Sequence, residues 1–385
     1  MINIPFHRPN LPNDFDEIFS DSIRSGWLTT GSAVNELENR LTEFLDTNYV
    51  IAVNSCTAAL HLTLAAKGFK CGQKFISPTL TFASTVECGE YLGMEPILVD
   101  SEKDGFLIDL NQVEDIVKRD NSVKVIIPVH YGGEPVNIKG LWELAEKYGL
   151  FILEDAAHAL EANYQGEKIG NTEHAAAFSF YANKNLTTGG EGGALATNNS
   201  DLADKVRKLS LHGITKDGWN RFKSKGKWEY DILELGYKYN LTDFSASFGL
   251  WQFEQINQWQ SRRLEIFNHY IEGLSKIKGI VLPKYSKGHS LHLFVIELVN
   301  NRWSISRDKF IEEMTKKGIG IAVHYKPIHQ LTYYKNKYDF NYNKFPRANK
   351  LFESIISLPI YPGLEKSSVS YIIKCIINLS NTYLK

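Results

Sequence analysis

YVIAVNSCTAALHLTLAAKG, residues 49 to 68, joins two kinds of segment. YVIAV is a short, β-branched apolar run of strand length. CTAALHLTLAAKG is long and rich in Ala and Leu, which predicts a helix that Gly68 ends. The same alternation continues outward. FISP (75–78), PILVD (96–100), VKVIIPVH (123–130) and LFILED (150–155) predict further buried strands. TFASTVECGEYLG, NQVEDIVKRD and IKGLWELAEKYG predict helices between them, and AAAFSF (175–180) and GGALATN (192–198) two more strands. Short strands alternating with helices imply an α/β fold with a largely parallel sheet covered on both faces. In such sheets ligands bind at the carboxyl ends of the strands.

Beyond this region a long helical section, about 242–278, bridges to a smaller C-terminal domain. That domain is expected to hold a strand at LHLFVIEL (291–298), a helix at SRDKFIEEMTKKG (306–318), a strand at IGIAVHY (319–325) and two final helices. The expected division is a large domain at 1–250, including an N-terminal segment, and a smaller one at 251–385. TKDGWNRFKSKGKWEY (215–230) is polar and turn-rich and reads as a mobile loop near the site.

Composition narrows the class. With 43% hydrophobic and 23% charged residues and a formal net charge of -1, the 385-residue chain shows neither a nucleic-acid footprint nor an acidic tail. Cys56, Cys71, Cys88 and Cys375 are too scattered for a zinc cluster or disulfide framework, so no metal is expected. MINIPFHRPNLPND lacks the pattern of a signal peptide, and no apolar run approaches the ~20 residues of a membrane span. A cytoplasmic protein with no membrane partner is the expectation.

The chemistry concentrates around SFYANKNLTTGGEGG (179–193). If Lys184 is buried, its ammonium loses hydration and the neutral amine becomes a nucleophile toward carbonyls; on an open turn it is an ordinary solvated lysine. Asp155 ends a strand and His158 lies one helical turn later, although an aspartate there can equally cap a helix. NSCTAAL (54–60) opens a helix whose N-terminus, beside Ser55 and Thr57, can receive a phosphate. Phe82, at another strand-to-helix junction, can stack on a planar ligand or belong to the core. Together, a phosphate cup, an acid, a stacking aromatic and a lysine are the parts of a pyridoxal phosphate site.

The motifs GWLTTG (26–31), NSCTAAL, PTLTFAST, EDAAHALEANYQGEKIG, FSFYANKNLTTGGEGGALATN, GYKYNLTD (236–243) and VHYKPIH (323–329) occur in the order that resembles the DegT/DnrJ/EryC1/StrS family over nearly the whole chain. These are sugar aminotransferases with the fold-type-I, aspartate aminotransferase-like α/β architecture. The resemblance implies a large domain with a mainly parallel mixed sheet and a smaller C-terminal α/β domain. It makes Lys184 the lysine that joins the cofactor as a Schiff base. Asp155 becomes the partner of the pyridine nitrogen, His158 a contact to the ring hydroxyl, and Phe82 the stacking ring. Thr57, Ala58 and Ser179 become the phosphate cup. Asn240 would reach the phosphate from a neighbouring subunit, implying a homodimer with shared active sites. Thr29, Thr30, Lys216, His324, Tyr325 and His329 fall in segments that approach the sugar substrate.

Some relatives replace the lysine by histidine and dehydrate, and others add an iron–sulfur cluster. Here the lysine is present and the cysteines offer no cluster motif, so transamination is favoured. The implied reaction moves an amino group from glutamate to the keto carbon of a nucleotide-linked keto-deoxy-sugar, leaving 2-oxoglutarate, in amino-sugar biosynthesis for surface polysaccharide such as O-antigen or capsule. LHGITKDGWNRF and WEYDILELGYKYNLTD resemble the branch acting at C4 of UDP-linked sugars. A dTDP- or GDP-linked 4-keto sugar, a 3-keto sugar or a free eight-carbon keto-sugar acid are the alternatives. Lys216, Arg221, Lys223, Lys225 and Lys227 would suit a diphosphate or a carboxylate equally, or simply water. A nicotinamide dehydrogenase would need a G-x-G-x-x-G turn after the first strand, where NSCTAAL stands instead. A catalytically silent sensor of the same fold would be marked by loss of Lys184 or Asp155, and both are intact.

Overall fold

Residues 3–214 and 230–385 are described by a computed structural model. Seven strands form the main sheet: β1 (Tyr49–Val53), β2 (Lys74–Pro78), β3 (Glu95–Val99), β4 (Val123–Ile126), β5 (Phe151–Asp155), β8 (Ala175–Ser179) and β9 (Gly193–Thr197), with the two-residue strands β6 (Asn163–Tyr164) and β7 (Glu167–Lys168) pairing separately. The sheet order is β1-β9-β8-β5-β4-β2-β3. Only β9 runs against its neighbours, pairing antiparallel with both β1 and β8. The other six strands point the same way. This is the expected mixed, mostly parallel α/β sheet, and it has a direct consequence. Asn54, Thr79, Ala156 and Phe180, the residues after four of those strands, all lie at one edge, where Gly193 also begins β9.

Each buried strand needs cover on both faces, and the helices supply it. Helix Cys56–Ala66 follows β1 after two residues and is buried nearly all round, with Ala59, Leu60, Leu62, Thr63 and Leu64 fully enclosed. Ser55 caps it, its Oγ accepting from Ala58 N at 3.1 Å. Gly193 explains how closely this helix can sit. A Cβ there would lie 2.5 Å from Cys56 N and from the Ser55 carbonyl carbon, so only glycine lets β9 pass under the helix start.

A second hydrophobic core lies toward the C-terminus. It joins helices Ile256–Leu274, Arg307–Lys316 and Lys366–Tyr383 to a three-stranded antiparallel sheet of β10 (Ile280–Val281), β11 (Phe294–Leu298) and β12 (Ile355–Leu358). The chain also returns to the first core, through Ile328, Phe345 and Leu351.

Several expectations need correction. The helical section near 242–278 is two helices, Asp243–Glu254 and Ile256–Leu274. VKVIIPVH is a strand only to Ile126; Val129 makes an isolated bridge to Asp155. IGIAVHY is not a strand. It makes single bridges, Ile319 to Ile4 and Ala322 to Ser357, because it is wedged between the N-terminal segment and the edge of the small sheet. Gly320 marks that squeeze, since a Cβ there would sit 2.4 Å from Phe6 N. The strand of that sheet is instead β12, which follows helix Pro346–Ser354 without a loop as Ile355 turns to extended backbone.

Candidate active site

A cavity of about 530 Å³ opens at the sheet edge where the parallel strands end. That volume is within the range of small-molecule sites. Ser55 and Thr57 line it from the helix start, Phe82 from the loop after β2, Asp155 from the end of β5 and Ser179 from the end of β8. Lys184 enters from the connection between β8 and β9, where its backbone N–H donates to Tyr181 O at 2.9 Å. His158, His324 and Tyr325 complete the wall. Residues separated by up to 270 positions therefore meet because a parallel sheet brings its carboxyl ends together.

The electrostatics follow from burial. Loss of hydration around the Lys184 ammonium lowers its pKa from 10.5 to about 8, against the pull of the Asp155 carboxylate and the Cys56 thiol. Lys184 is half-buried and lines the cavity. Burial pushes Asp155 up, partly offset by the Thr85 hydroxyl, which donates to Oδ2 at 2.7 Å, and by Ala157 N–H, which donates to Oδ1 at 3.2 Å. Thr81 extends this chain, its Oγ1 lying 2.7 Å from that of Thr85. Burial, with Lys184 and His324 nearby, holds the His158 ring well below its ordinary value, so it is neutral.

The remaining candidates fall into four groups. Ala58 is buried in the first helical turn, its N–H engaged by Ser55, and it does not line the cavity. Asn240, Thr30 and Thr29 cluster with one another and do not line the cavity, although Asn240 bridges Val53 at the end of β1. Asn240 Nδ2 donates to Thr30 Oγ1 at 2.7 Å, Thr30 Oγ1 donates to Leu241 O at 2.5 Å, and Thr29 O accepts from Asp243 N. His329 is buried away from the cavity, with Nδ1 2.7 Å from Thr79 Oγ1 and Nε2 2.8 Å from Asn349 Oδ1. Both its ring nitrogens are thus occupied within the fold. Lys216, with Arg221, Lys223, Lys225 and Lys227, lies outside the described residues.

Sequence reading missed the groups that hold the site from behind. Thr85 sits within PTLTFAST, where a hydroxyl four residues from Thr81 was its only signal. Asn185 directly follows the lysine and ties its loop across the molecule, donating to Glu161 Oε2 at 2.8 Å and to Ser290 O at 2.9 Å. Arg263, buried on helix Ile256–Leu274, faces Glu161 at 3.9 Å. Such long-range pairings leave no periodic trace.

The wall suits pyridoxal phosphate on its own chemistry. Asp155 is a buried acid, each of whose oxygens takes one donor, and a cationic ring nitrogen would supply the charge that burial makes it lack. Phe82 keeps 60% of its surface open, unusual for a large apolar ring unless it covers something flat. The first N–H groups of helix Cys56–Ala66 have no carbonyl within the helix, and with the Thr57 and Ser179 hydroxyls they suit a phosphate.

Comparison with known proteins agrees. The model of the DegT/DnrJ/EryC1/StrS aminotransferase family matches residues 9–377. The spore coat polysaccharide biosynthesis protein SpsC of Bacillus subtilis is 36% identical over 376 residues, covering 97% of this chain and 96% of SpsC. Among solved structures, Spr1654 of Streptococcus pneumoniae in its PMP form superposes with a TM-score of 0.91 at 33% identity, covering 99% of this chain and 100% of the other; its PLP form is similar. Helicobacter pylori PseC, an aminotransferase involved in the biosynthesis of pseudoaminic acid, superposes with a TM-score of 0.88 at 26% identity, covering 99% of this chain and 100% of PseC. The chain belongs to the DegT/DnrJ/EryC1/StrS aminotransferase family, and it is a pyridoxal phosphate-dependent sugar aminotransferase.

Proposed function

We propose that this enzyme moves an amino group from glutamate to C4 of a UDP-linked 4-keto-deoxy-sugar, for the amino sugars of a surface polysaccharide. The observation that carries the reading is the Lys184 amine, its pKa lowered to about 8 by burial, in one cavity with the buried Asp155 carboxylate. SpsC, a polysaccharide biosynthesis protein, and PseC, an aminotransferase of sugar-acid synthesis, support a glycan destination.

Pyridoxal phosphate, when bound, supplies an electron sink for the charge that develops at a carbon bearing nitrogen. With it bound, Lys184 Nζ would hold the aldehyde end of the cofactor and would move the proton at that carbon. Asp155 holds a ring-nitrogen proton in place, and its bonds to Thr85 and Ala157 fix the carboxylate plane. Phe82 covers one face of a planar ring and keeps water from it. Thr57 and Ser179, with the helix start, hold the phosphate. His324 is neutral, its pKa lowered to about 4 by burial and by Lys184, and it offers hydrogen bonds to sugar hydroxyls without adding charge.

A homodimer in which Asn240 completes the neighbouring site is part of the proposal. Leu235, 88% exposed, and the exposed Leu233, Phe244 and Leu28 lie on the segments that carry Asn240 and Thr30, and such apolar surface is suited to a partner subunit.

The test is a panel of UDP-, dTDP- and GDP-linked 4-keto sugars, a 3-keto sugar and a free keto-sugar acid, each with ¹⁵N-glutamate and the reconstituted enzyme. Mass spectrometry should find the label in the UDP-4-keto sugar. Label appearing only in another panel member, or none with glutamate as donor, would overturn the assignment.

A further inference from the structure

We propose that Asn185 is the positioning residue of Lys184, a buried amide that pins the lysine's loop to the body of the molecule from behind the cavity. The inference rests on Lys184 being the amine that takes the cofactor, and it concerns what keeps that amine in place.

A lysine carries its amine on a long flexible stem, so a loose backbone would leave that amine a wide sweep. Here the chain is fixed on both sides of it. On one side Lys184 N–H donates to Tyr181 O at 2.9 Å. On the other comes Asn185, one planar peptide away. The bonds of Thr187 Oγ1 to Phe180 O at 3.1 Å and of Thr188 Oγ1 to Glu191 O at 2.7 Å stay within the connection between β8 and β9. Asn185 reaches out of it. Its two amide hydrogens go to Glu161 Oε2 at 2.8 Å and to Ser290 O at 2.9 Å. Both are acceptors, which fixes the amide's orientation and turns Oδ1 toward His292 Nδ1 at 3.0 Å. His292, kept neutral by burial, therefore carries its proton on Nδ1 and donates it. Both hydrogens and the oxygen of the amide are thus engaged, and all four residues are buried.

The anchors come from separate parts of the fold. Glu161 lies on the segment that follows β5, and Ser290 and His292 lead into β11 of the small sheet. Arg263, on helix Ile256–Leu274, faces Glu161 Oε1 at 3.9 Å and aims Nη2 at Asn185 O at 3.5 Å. A buried carboxylate needs such a charge beside it, so Arg263 holds the acceptor that holds Asn185. Asn185, Glu161, Ser290, His292 and Arg263 all lie outside the cavity lining, so a molecule that fills the cavity does not compete for these bonds. Small losses of placement are costly here, because a reacting group displaced by about 1 Å can lose about a hundredfold in rate.

The test is the pH dependence of pyridoxal phosphate capture by the cofactor-free protein, read by stopped-flow absorbance, with melting curves alongside. Asp155, Cys56, His7, His158, His292 and His324 are the titratable groups coupled to the Lys184 charge, and all are kept in the variants. Glu161→Gln/Arg263→Met removes both buried charges and keeps an oxygen for Asn185. It should capture the cofactor at close to the wild-type rate, levelling off near pH 8. Glu161→Leu/Arg263→Met also leaves no unpaired charge but offers Asn185 no acceptor. Its capture should be roughly tenfold slower, since the lost bond is to a charged group. The plateau should also move to higher pH, because a loosened amine regains hydration. Asn185→Ala should show both changes more strongly. Matching profiles in the two double variants, or a wild-type profile in folded Asn185→Ala, would overturn the proposal while leaving the cavity assignment standing. Capture that persists in Lys184→Ala would overturn both.

Discussion

Lys184 shows how far a single residue's chemistry depends on its surroundings. An unperturbed lysine with a pKa near 10.5 is almost wholly charged at pH 7, whereas one at about 8 has roughly a tenth of its amine free, a gain of roughly three-hundredfold in nucleophile. The rate at which the cofactor-free enzyme captures pyridoxal phosphate should thus climb between pH 6 and 8 and level off above, as followed by stopped-flow absorbance. A rise that continues unbroken toward pH 10.5 would place the amine in water instead. Lys184→Ala should abolish the absorbance band of the lysine-bound cofactor altogether. The sign for stability runs the same way. The unfolded chain binds the extra proton between pH 8 and 10.5, so the cost of burying Lys184 is fully present below about 8 and gone above 10.5. Lysine, acid and aromatic were legible as residue types beside strand ends. Thr85 and Asn185 were not, because a hydroxyl or amide acquires its role only from a partner far along the chain.

At the scale of elements, the junction of β1, helix Cys56–Ala66 and β9 sets the phosphate end of the site. Gly193 is required by close approach rather than by backbone conformation. In Gly193→Ala the new methyl would strike Cys56 N and the Ser55 carbonyl carbon, both main-chain atoms unable to swing aside. Overpacking of this kind costs about 1–3 kcal/mol or more, and here it also displaces the helix start. Thermal denaturation of the cofactor-free variant should show a melting temperature several degrees lower, and the folded fraction should bind pyridoxal phosphate weakly. An unchanged melting curve with unchanged cofactor affinity would show that the junction has slack. The seven strands of the main sheet were legible from their short apolar runs, whereas the polar two-residue strands β6 and β7 were not. IGIAVHY was misread because alternation along a chain cannot reveal whether a neighbouring strand edge is free to pair.

For the whole molecule, the question is whether one chain makes one site. Asn240 and Thr30 bond to each other and do not line the Lys184 cavity of their own chain, on segments that expose large apolar side chains. If Asn240 serves the neighbouring site, Lys184→Ala and Asn240→Ala subunits should complement when unfolded together and refolded as a mixture. Random two-fold assembly then puts both native residues in about a quarter of all sites. Activity near a quarter of wild type, well above the mean of the two parents, is expected in the glutamate-driven assay. A mixture that matches the parental mean would show that each chain builds its site alone.

The sequence by itself determined the local alternation of strand and helix and the order of its motifs, because apolar periodicity, caps and glycines act between near neighbours. It also placed a lysine, an acid and an aromatic at strand ends. Only the tertiary structure decided the strand order, the insertion of the antiparallel β9 between two parallel strands, and which side chains share the cavity. The same holds for the tautomer of His158, set by the N–H of Gly132, which precedes it by 26 residues. Burial and hydrogen-bond partnership are properties of distance in space, and a linear order of residues does not contain them until the sheet has closed.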